Sequence, residues 1–416
     1  MHESKISSNP ATPEKESPQK STNKTNFLIL AIAIIIGILS GEIVVRTYVR
    51  GNVKTIYQRK ARQKVPNGAN FQLKDILAPS NNPRLVYELI PYRRGAIWGV
   101  KYQSNSFGIR GPEISKKKPA GVWRIAGLGD STMFGWKVRE NEAFLPVLER
   151  ALNSVGDPRR YEVLNFAVPG YNTAIEAEIY RTRAREFDPD LVIIHFDLND
   201  LALPNFVQEL PPFFTLKRFY LLELIKNLVI EKDAQKGMEE MSEGELHEAK
   251  TLGNPSLNGV LRYLDYRAEY APAEYRYMVG WQGVQRALDL LWNSTPRPIL
   301  HLSWIYYLEE SKDLFAQHIM SGTRKRKDGG RLYFLNIMTE GREFCREMGL
   351  KWNQHMKVND FHPSKVRHVL IARAIYLFLV RNRLLPADSN HYRDRNSEAI
   401  ARSLWDEAKE MSRGDF

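Results

Sequence analysis

Arg124-Ile125-Ala126-Gly127-Leu128-Gly129-Asp130-Ser131-Thr132-Met133-Phe134-Gly135-Trp136 is the stretch on which the fold turns. The apolar run over residues 122–128 reads as a buried strand. It breaks at Gly127 and Gly129, and a serine follows where the next helix should begin. A serine in that position stands at the C-terminal edge of a parallel sheet, where open α/β proteins hold their ligands. It also lies beside helix N–H groups, whose partial positive charge favours a developing anion. Ser131 is therefore a candidate nucleophile, although serine also caps helices often. On this stretch alone, capping and catalysis weigh about equally.

Three glycine-containing motifs are poor fits. A dinucleotide fingerprint needs a third glycine where Thr132 stands, and an acid at the end of the second strand, which closes on Asn165-Phe166. A phosphate-cradling loop needs Gly-Lys-Ser/Thr, which is absent. The nucleophile elbow Gly-x-Ser-x-Gly is not supplied by Gly129-Asp130-Ser131-Thr132-Met133.

Outward from this stretch, strands and helices alternate. Residues 161–166, 191–196 and 298–304 read as strands, and 173–187, 273–292, 331–348 and 364–383 as helices. Such alternation implies a parallel sheet covered on both faces. Before it, residues 67–120 give short signals broken by Pro79, Pro83, Pro91 and Pro112, as expected of a lead-in lobe or β-extension. Between the third strand and residue 271 the pattern loosens, and helices over 216–230 and 231–250 are expected to project over the sheet edge, as a lid or, more in keeping with such stretches, an ordinary helical insertion. Arg324 to Lys327 reads as a solvated basic loop. A last amphipathic helix, with Ile400, Leu404, Ala408 and Met411 on one face, can dock on the domain or on a partner.

The 416 residues allow one large domain or two ordinary ones, plus tails. The single cysteine, Cys345, excludes an internal disulfide framework and a cysteine-based zinc site. A net charge of +12 invites a nucleic-acid reading. Much of that excess is local, however. Arg46, Arg50, Lys54, Arg59, Lys60, Arg62 and Lys64 fall in one acid-free stretch beside an apolar segment, which suits a membrane surface better. No nucleic-acid partner is expected.

That apolar segment is residues 27–45, beginning at Phe27 and ending at Val45 and interrupted only by Ser40 and Glu42. At helical rise it spans about 28 Å, close to the roughly 30 Å hydrocarbon core. A buried core helix would show a polar face, and residues 29–39 show none. A cleaved signal peptide is the stronger rival, but Ile38 and Leu39 poorly suit a cleavage site at Ser40 or Gly41. The expectation is an uncleaved signal-anchor in the inner membrane. The polar residues 1–26 before it are expected to be disordered. Basic residues are denser after the span than before it, which by the positive-inside rule argues for a cytoplasmic C-terminal domain.

A serine nucleophile needs a base, and the base an orienting group. His195 lies inside the apolar run Val192-Ile193-Ile194 and reads as a core histidine. His362 lies in Asn359-Asp360-Phe361-His362-Pro363, just before the last sheet-covering helix. Asp360 stands where it can hold one ring nitrogen while the other faces a hydroxyl. For an oxyanion, Gly170 after the second strand lets a backbone N–H approach closely, and Asn199 after the third offers a neutral amide donor. Each turn alone is ordinary. Four of them at one sheet edge point to acyl-transfer chemistry.

The order Gly-Asp-Ser, Gly, Asn-Asp, Asp-x-His-Pro resembles the SGNH, or GDSL, hydrolase family, over about residues 105–379. Asn105-Ser106-Phe107-Gly108-Ile109-Arg110-Gly111 resembles a lead-in of many bacterial members, and Leu164-Asn165-Phe166-Ala167-Val168-Pro169-Gly170-Tyr171 is similar to theirs as well. The resemblance implies an α/β, flavodoxin-like three-layer α/β/α sandwich with a central parallel sheet, here preceded by one transmembrane helix. It implies Ser131 as nucleophile, His362 as base and Asp360 as its orienting acid. The Ser131 N–H, Gly170 and Asn199 would form the oxyanion hole, with no metal and no cofactor. Two positions depart from the family pattern: Asp197 replaces a glycine, and Asn359 occupies the commoner acid position. The expected activity is hydrolysis of O-acyl, above all O-acetyl, esters of envelope carbohydrate by a domain outside the cytoplasm. An O-acyltransferase using the same acyl-serine, and a non-catalytic binding or assembly protein on the same scaffold, are the alternatives. The expected layout is a tail (1–26), an anchor (27–45), a basic segment with lead-in lobe (46–120), the hydrolase domain (121–385, with an insertion at about 205–270) and a charged tail helix (386–416).

Overall fold

The computed structural model describes residues 19–58, 66–204, 219, 221–222, 225, 271, 273–303, 331–351 and 362–413, with side chains of the first helix described over 26–47. Five strands form the central sheet: β6 (Val122–Leu128), β7 (Arg160–Asn165), β8 (Leu191–Phe196), β9 (Ile299–Ser303) and β10 (Leu332–Asn336). Their order is β10-β9-β8-β6-β7, and every pairing is parallel. Counted by appearance, this is the 2-1-3-4-5 order of flavodoxin-like sheets, whose ligands gather where the order reverses, between the first and third strands. Here that crevice lies beyond the ends of β6 and β8.

The strands read as predominantly apolar runs because both faces are covered. On one face α4 (Phe144–Leu152) packs with α8 (Lys365–Arg381), and on the other α5 (Thr173–Thr182) packs with α6 (Gly280–Ser294). All six residues of β8 are buried. α7 (Thr339–Met348) and α9 (Asp394–Arg413) lie against α8. α9 buries Ile400, Ala401, Leu404 and Ala408 and is fastened by Arg373 Nε donating to the Ala401 carbonyl at 2.8 Å.

Three expected helices change form. Residues 331–348 split into β10 and α7. Leu332-Tyr333-Phe334-Leu335 is a short apolar, aromatic-rich run whose periodicity does not separate strand from helix, and pairing with β9 decides it. The Asn336 side chain then accepts from the Met338 N–H at 2.9 Å and turns the chain into α7. Residues 173–187 break at Arg183, beyond which 184–187 form a 3-10 turn. Residues 273–278 are likewise 3-10, with extended Val279 before α6.

Between α1 (Gln19–Gln58) and the sheet lies a small lobe. β1 (Asn70–Phe71), β4 (Arg94–Ile97) and β5 (Val100–Gln103) form one sheet. α2 (Leu73–Ile76) leads to an antiparallel pair, β2 (Leu77–Pro79) and β3 (Tyr87–Leu89). The lobe is tied to the domain through its aromatics. The Tyr87 hydroxyl donates to the Pro169 carbonyl at 3.0 Å, and Tyr102 stacks over Phe134 with ring centroids 6.1 Å apart. The expected helices at 216–230 and 231–250 and the basic loop at 324–327 lie outside the described residues, apart from Phe219, Leu221, Leu222 and Ile225.

Candidate active site

After β6 the chain makes one short helix, α3 (Ser131–Phe134). Its N-cap is Asp130, whose Oδ1 accepts from the Thr132 N–H at 2.9 Å. The capping role weighed for Ser131 thus belongs to its neighbour, and the serine is the first helical residue. Gly129 is required here: a Cβ would stand 2.7 Å from that of Met133. Ser131 is half-buried, so its hydroxyl is within reach of a substrate.

His362 Nε2 lies 2.8 Å from Ser131 Oγ, across 231 residues of chain. It enters just ahead of α8, which Ser364 caps by accepting from the Arg367 N–H at 3.3 Å. A neutral imidazole at this distance can accept the hydroxyl proton. Asp360 and Asn359 lie outside the described residues.

Asn199 belongs to a short turn after β8. Its Nδ2 donates to Asp130 Oδ2 at 3.0 Å, which bridges the ends of β6 and β8 where the strand order reverses. An amide nitrogen carries two hydrogens, so one remains for another acceptor. Asp200 secures the turn, its Oδ2 accepting from the Asp197 N–H at 2.7 Å and its Oδ1 from Thr173 Oγ1 at 2.8 Å. The Gly170 loop runs alongside, with the Val168 N–H donating to the Gly129 carbonyl at 3.1 Å. Gly170 has φ +79°, which a side chain would strain. The structure therefore joins Ser131 to His362 directly, Asn199 to the residue before Ser131, and the Gly170 loop to the turn after β6.

The electrostatics behind the serine are set by buried acids. Burial pushes Asp130 upward, but the adjacent His195 ring and the Thr132 N–H outweigh it and hold the carboxyl below its usual range. His195 Nδ1 stands 3.5 Å from Asp130 Oδ1. The core histidine of the sequence is thus in the core and also faces the acid that holds Asn199. Glu176 and Asp200 go the other way. Burial, then neighbouring carboxylates, push both well above the usual carboxylate range, the direction opposite to Asp130.

Sequence reasoning assigned no role to Arg110 or Trp136. Arg110 is buried, and its guanidinium donates to the carbonyls of Phe134, Gly135 and Val138 at 2.6, 2.7 and 2.8 Å. It satisfies the C-terminal end of α3 and lies over the Phe134 ring at 4.7 Å. Burial draws it down to about 10, so it remains a cation at neutral pH. Trp136, at the end of that clamped segment, stacks on the His362 ring with centroids 4.7 Å apart and an interplanar angle of 16°. The signal for Arg110 was the lead-in motif itself. Trp136 carried no local signal, because its partner lies 226 residues away.

Among the described residues, no group of three or more His, Cys, Asp or Glu side chains could hold a metal ion. Residues 128–366 match the family model described as GDSL-like lipase/acylhydrolase. Solved structures similar to the chain include a family 3 carbohydrate esterase from Clostridium thermocellum, with 12% identity, 63% of this chain and 96% of that chain covered, and a TM-score of 0.35. A catalytic mutant of an acetylxylan esterase from Geobacillus stearothermophilus gives 14% identity, 62% and 92% coverage, and a TM-score of 0.36. Likenesses this distant carry no argument about substrate. No curated protein matches the chain.

Proposed function

Because the chain belongs to the GDSL-like lipase/acylhydrolase family, whose model covers residues 128–366 of its 416, we propose that it is a membrane-anchored serine esterase cleaving O-acyl, chiefly O-acetyl, groups from envelope carbohydrate. The observation that carries the chemistry is the 2.8 Å contact between His362 Nε2 and Ser131 Oγ. In this reading Ser131 Oγ attacks the ester carbonyl as His362 takes its proton, and Asp360 orients the imidazole. The carbonyl oxygen becomes an oxyanion held by the Ser131 and Gly170 N–H groups and the Asn199 amide. Collapse breaks the bond to the sugar oxygen, which takes the proton from His362 and leaves as the free hydroxyl. Water, activated by the same histidine, then releases the acid from the acyl-serine.

The anchor reading rests on α1. Its segment Asn26–Thr47 has a mean hydropathy of 2.8, and only 6% of the most apolar window is buried in the protein. A core helix would be covered, so membrane or signal sequence remains. The helix runs unbroken through Ser40 and Gly41, which favours retention over cleavage. Glu42, the only acid within 27–45, pairs with Arg46 at 2.6 Å and accepts from the Leu221 N–H at 2.7 Å. The domain would lie outside the cytoplasm, where envelope glycans are found.

Hydrolysis of a chromogenic acetyl ester, with and without sugar acceptors, tests the reaction. Release of acetate that sugars do not divert is the expected result. Transfer of the acetyl group to a sugar hydroxyl would make the protein an acyltransferase. Neither activity, with no labelling by a fluorophosphonate, would leave a binding protein on a hydrolase scaffold.

A further inference from the structure

β4 and β5 are joined by a two-residue turn, Trp98-Gly99, with Ile97 paired to Val100. Both turn residues have positive φ, +52° and +77°, as a type I′ turn requires. Asn-Gly is the preferred occupant, because asparagine tolerates that backbone and glycine is indifferent to it. Gly99 conforms. Trp98 does not: a bulky aromatic at positive φ is an outlier. The hairpin does not need an indole there, since Ile97 and Tyr102 are the residues it buries.

What the indole does lies outside the hairpin. Trp98 packs against Trp136, with ring centroids 3.7 Å apart and the ring planes tilted by 36°. Trp136 lies on His362, and His362 meets Ser131. Both tryptophans keep part of their surface exposed. A wall of two indoles thus leads from the base toward solvent on the side of the lead-in lobe. Strained residues persist where the surroundings over-determine them, and they cluster at ligand clamps and active sites.

We propose that Trp98, backed by Trp136, is the seat for the sugar ring that bears the acyl group, so that the substrate is an O-acylated pyranose. The inference rests on the esterase reading and specifies its substrate. An indole face carries negative quadrupole density, and one face of a pyranose presents C–H bonds with partial positive charge. Tryptophan also offers this area with only two side-chain torsions to freeze. The Asn-Gly rule supplies a variant that removes the ring while relieving the turn.

Full-length protein in detergent would be assayed on an O-acetylated xylo-oligosaccharide and on p-nitrophenyl acetate. For Trp98→Asn, the ratio of kcat/KM for the sugar ester to that for the small ester should fall about tenfold, the scale of one aromatic contact. The fall should lie mainly in KM, Trp98→Phe should be intermediate, and the Tm of Trp98→Asn should equal or exceed that of the wild type. A ratio that stays within about twofold of wild type, or equal losses on both esters, would overturn the proposal; the second result would make Trp98 only a brace for Trp136 and His362. A wild type that cleaves p-nitrophenyl acetate without favouring the sugar ester would also overturn it and leave the esterase reading standing. A wild type that cleaves neither ester would sink the esterase reading instead. Calorimetric binding of the deacetylated oligosaccharide then decides the seat, with weaker binding by Trp98→Asn supporting it and equal binding refuting it.

Discussion

Ser131 and Asp130 divide two tasks that one serine was weighed for, and the division has measurable consequences. Asp130 caps α3 and holds Asn199, which leaves Ser131 Oγ to His362. Removing one oxyanion donor typically costs about 2.7–4 kcal/mol, so Asn199→Ala should lower kcat roughly a hundred- to a thousand-fold while circular dichroism and Tm stay near wild type. Loss of the fold in Asn199→Ala would mean that its bond to Asp130 is chiefly structural. Glu176 gives a test by pH. Its folded pKa is raised, so above the unfolded value of about 4.3 the unfolded chain ionises first and stability falls as pH rises. Glu176→Gln removes that loss, and its Tm relative to wild type should become more favourable as pH rises above about 4.3. A difference that does not vary with pH would place the acid elsewhere than in a desolvated site. Ser131 and His362 were legible because each sits in a motif with its own local order. Asp130 and Glu176 were not, because their charge states are set by burial and by groups on separate strands and helices.

At the scale of elements, the lobe before the sheet is a wall of the site rather than an appendage. Tyr102 and Arg110 reach from it to α3, and Tyr87 to the Gly170 loop. Arg110→Met would leave the carbonyls of Phe134, Gly135 and Val138 without their donor in a buried place. It should destabilise the protein by about 3 kcal/mol or more, read from chemical denaturation, and reduce esterase activity even where the protein is folded. Unchanged activity in the folded variant would mean that α3 holds its position without the clamp. The central strands β6 and β8 were readable to the residue, since runs buried on both faces are apolar here apart from Arg124 and His195. β10 was not, because four apolar residues at a sheet edge followed by a true helix give one continuous helical-looking pattern. The small strands of the lobe were visible only as irregularity between prolines. Their order is fixed by pairing with β4, which lies more than twenty residues from β1.

For the whole molecule, the sheet order puts Ser131 and Asn199 at the reversal between β6 and β8, and α1 joins that domain to the bilayer in the reading advanced above. Protease treatment of spheroplasts should digest the catalytic domain and spare the α1 span. Full protection, where a periplasmic control is cleaved, would reverse the orientation and agree with the basic residues that follow the span. The central claim is that acyl transfer passes through Ser131. The most direct test is to treat the full-length protein in its native membranes with a fluorophosphonate and locate the adduct by peptide mass spectrometry. The account predicts one adduct on Ser131, lost in Ser131→Ala together with esterase activity. An active, inhibited enzyme whose adduct lies on another residue, or a Ser131→Ala protein that keeps wild-type esterase activity, would contradict it.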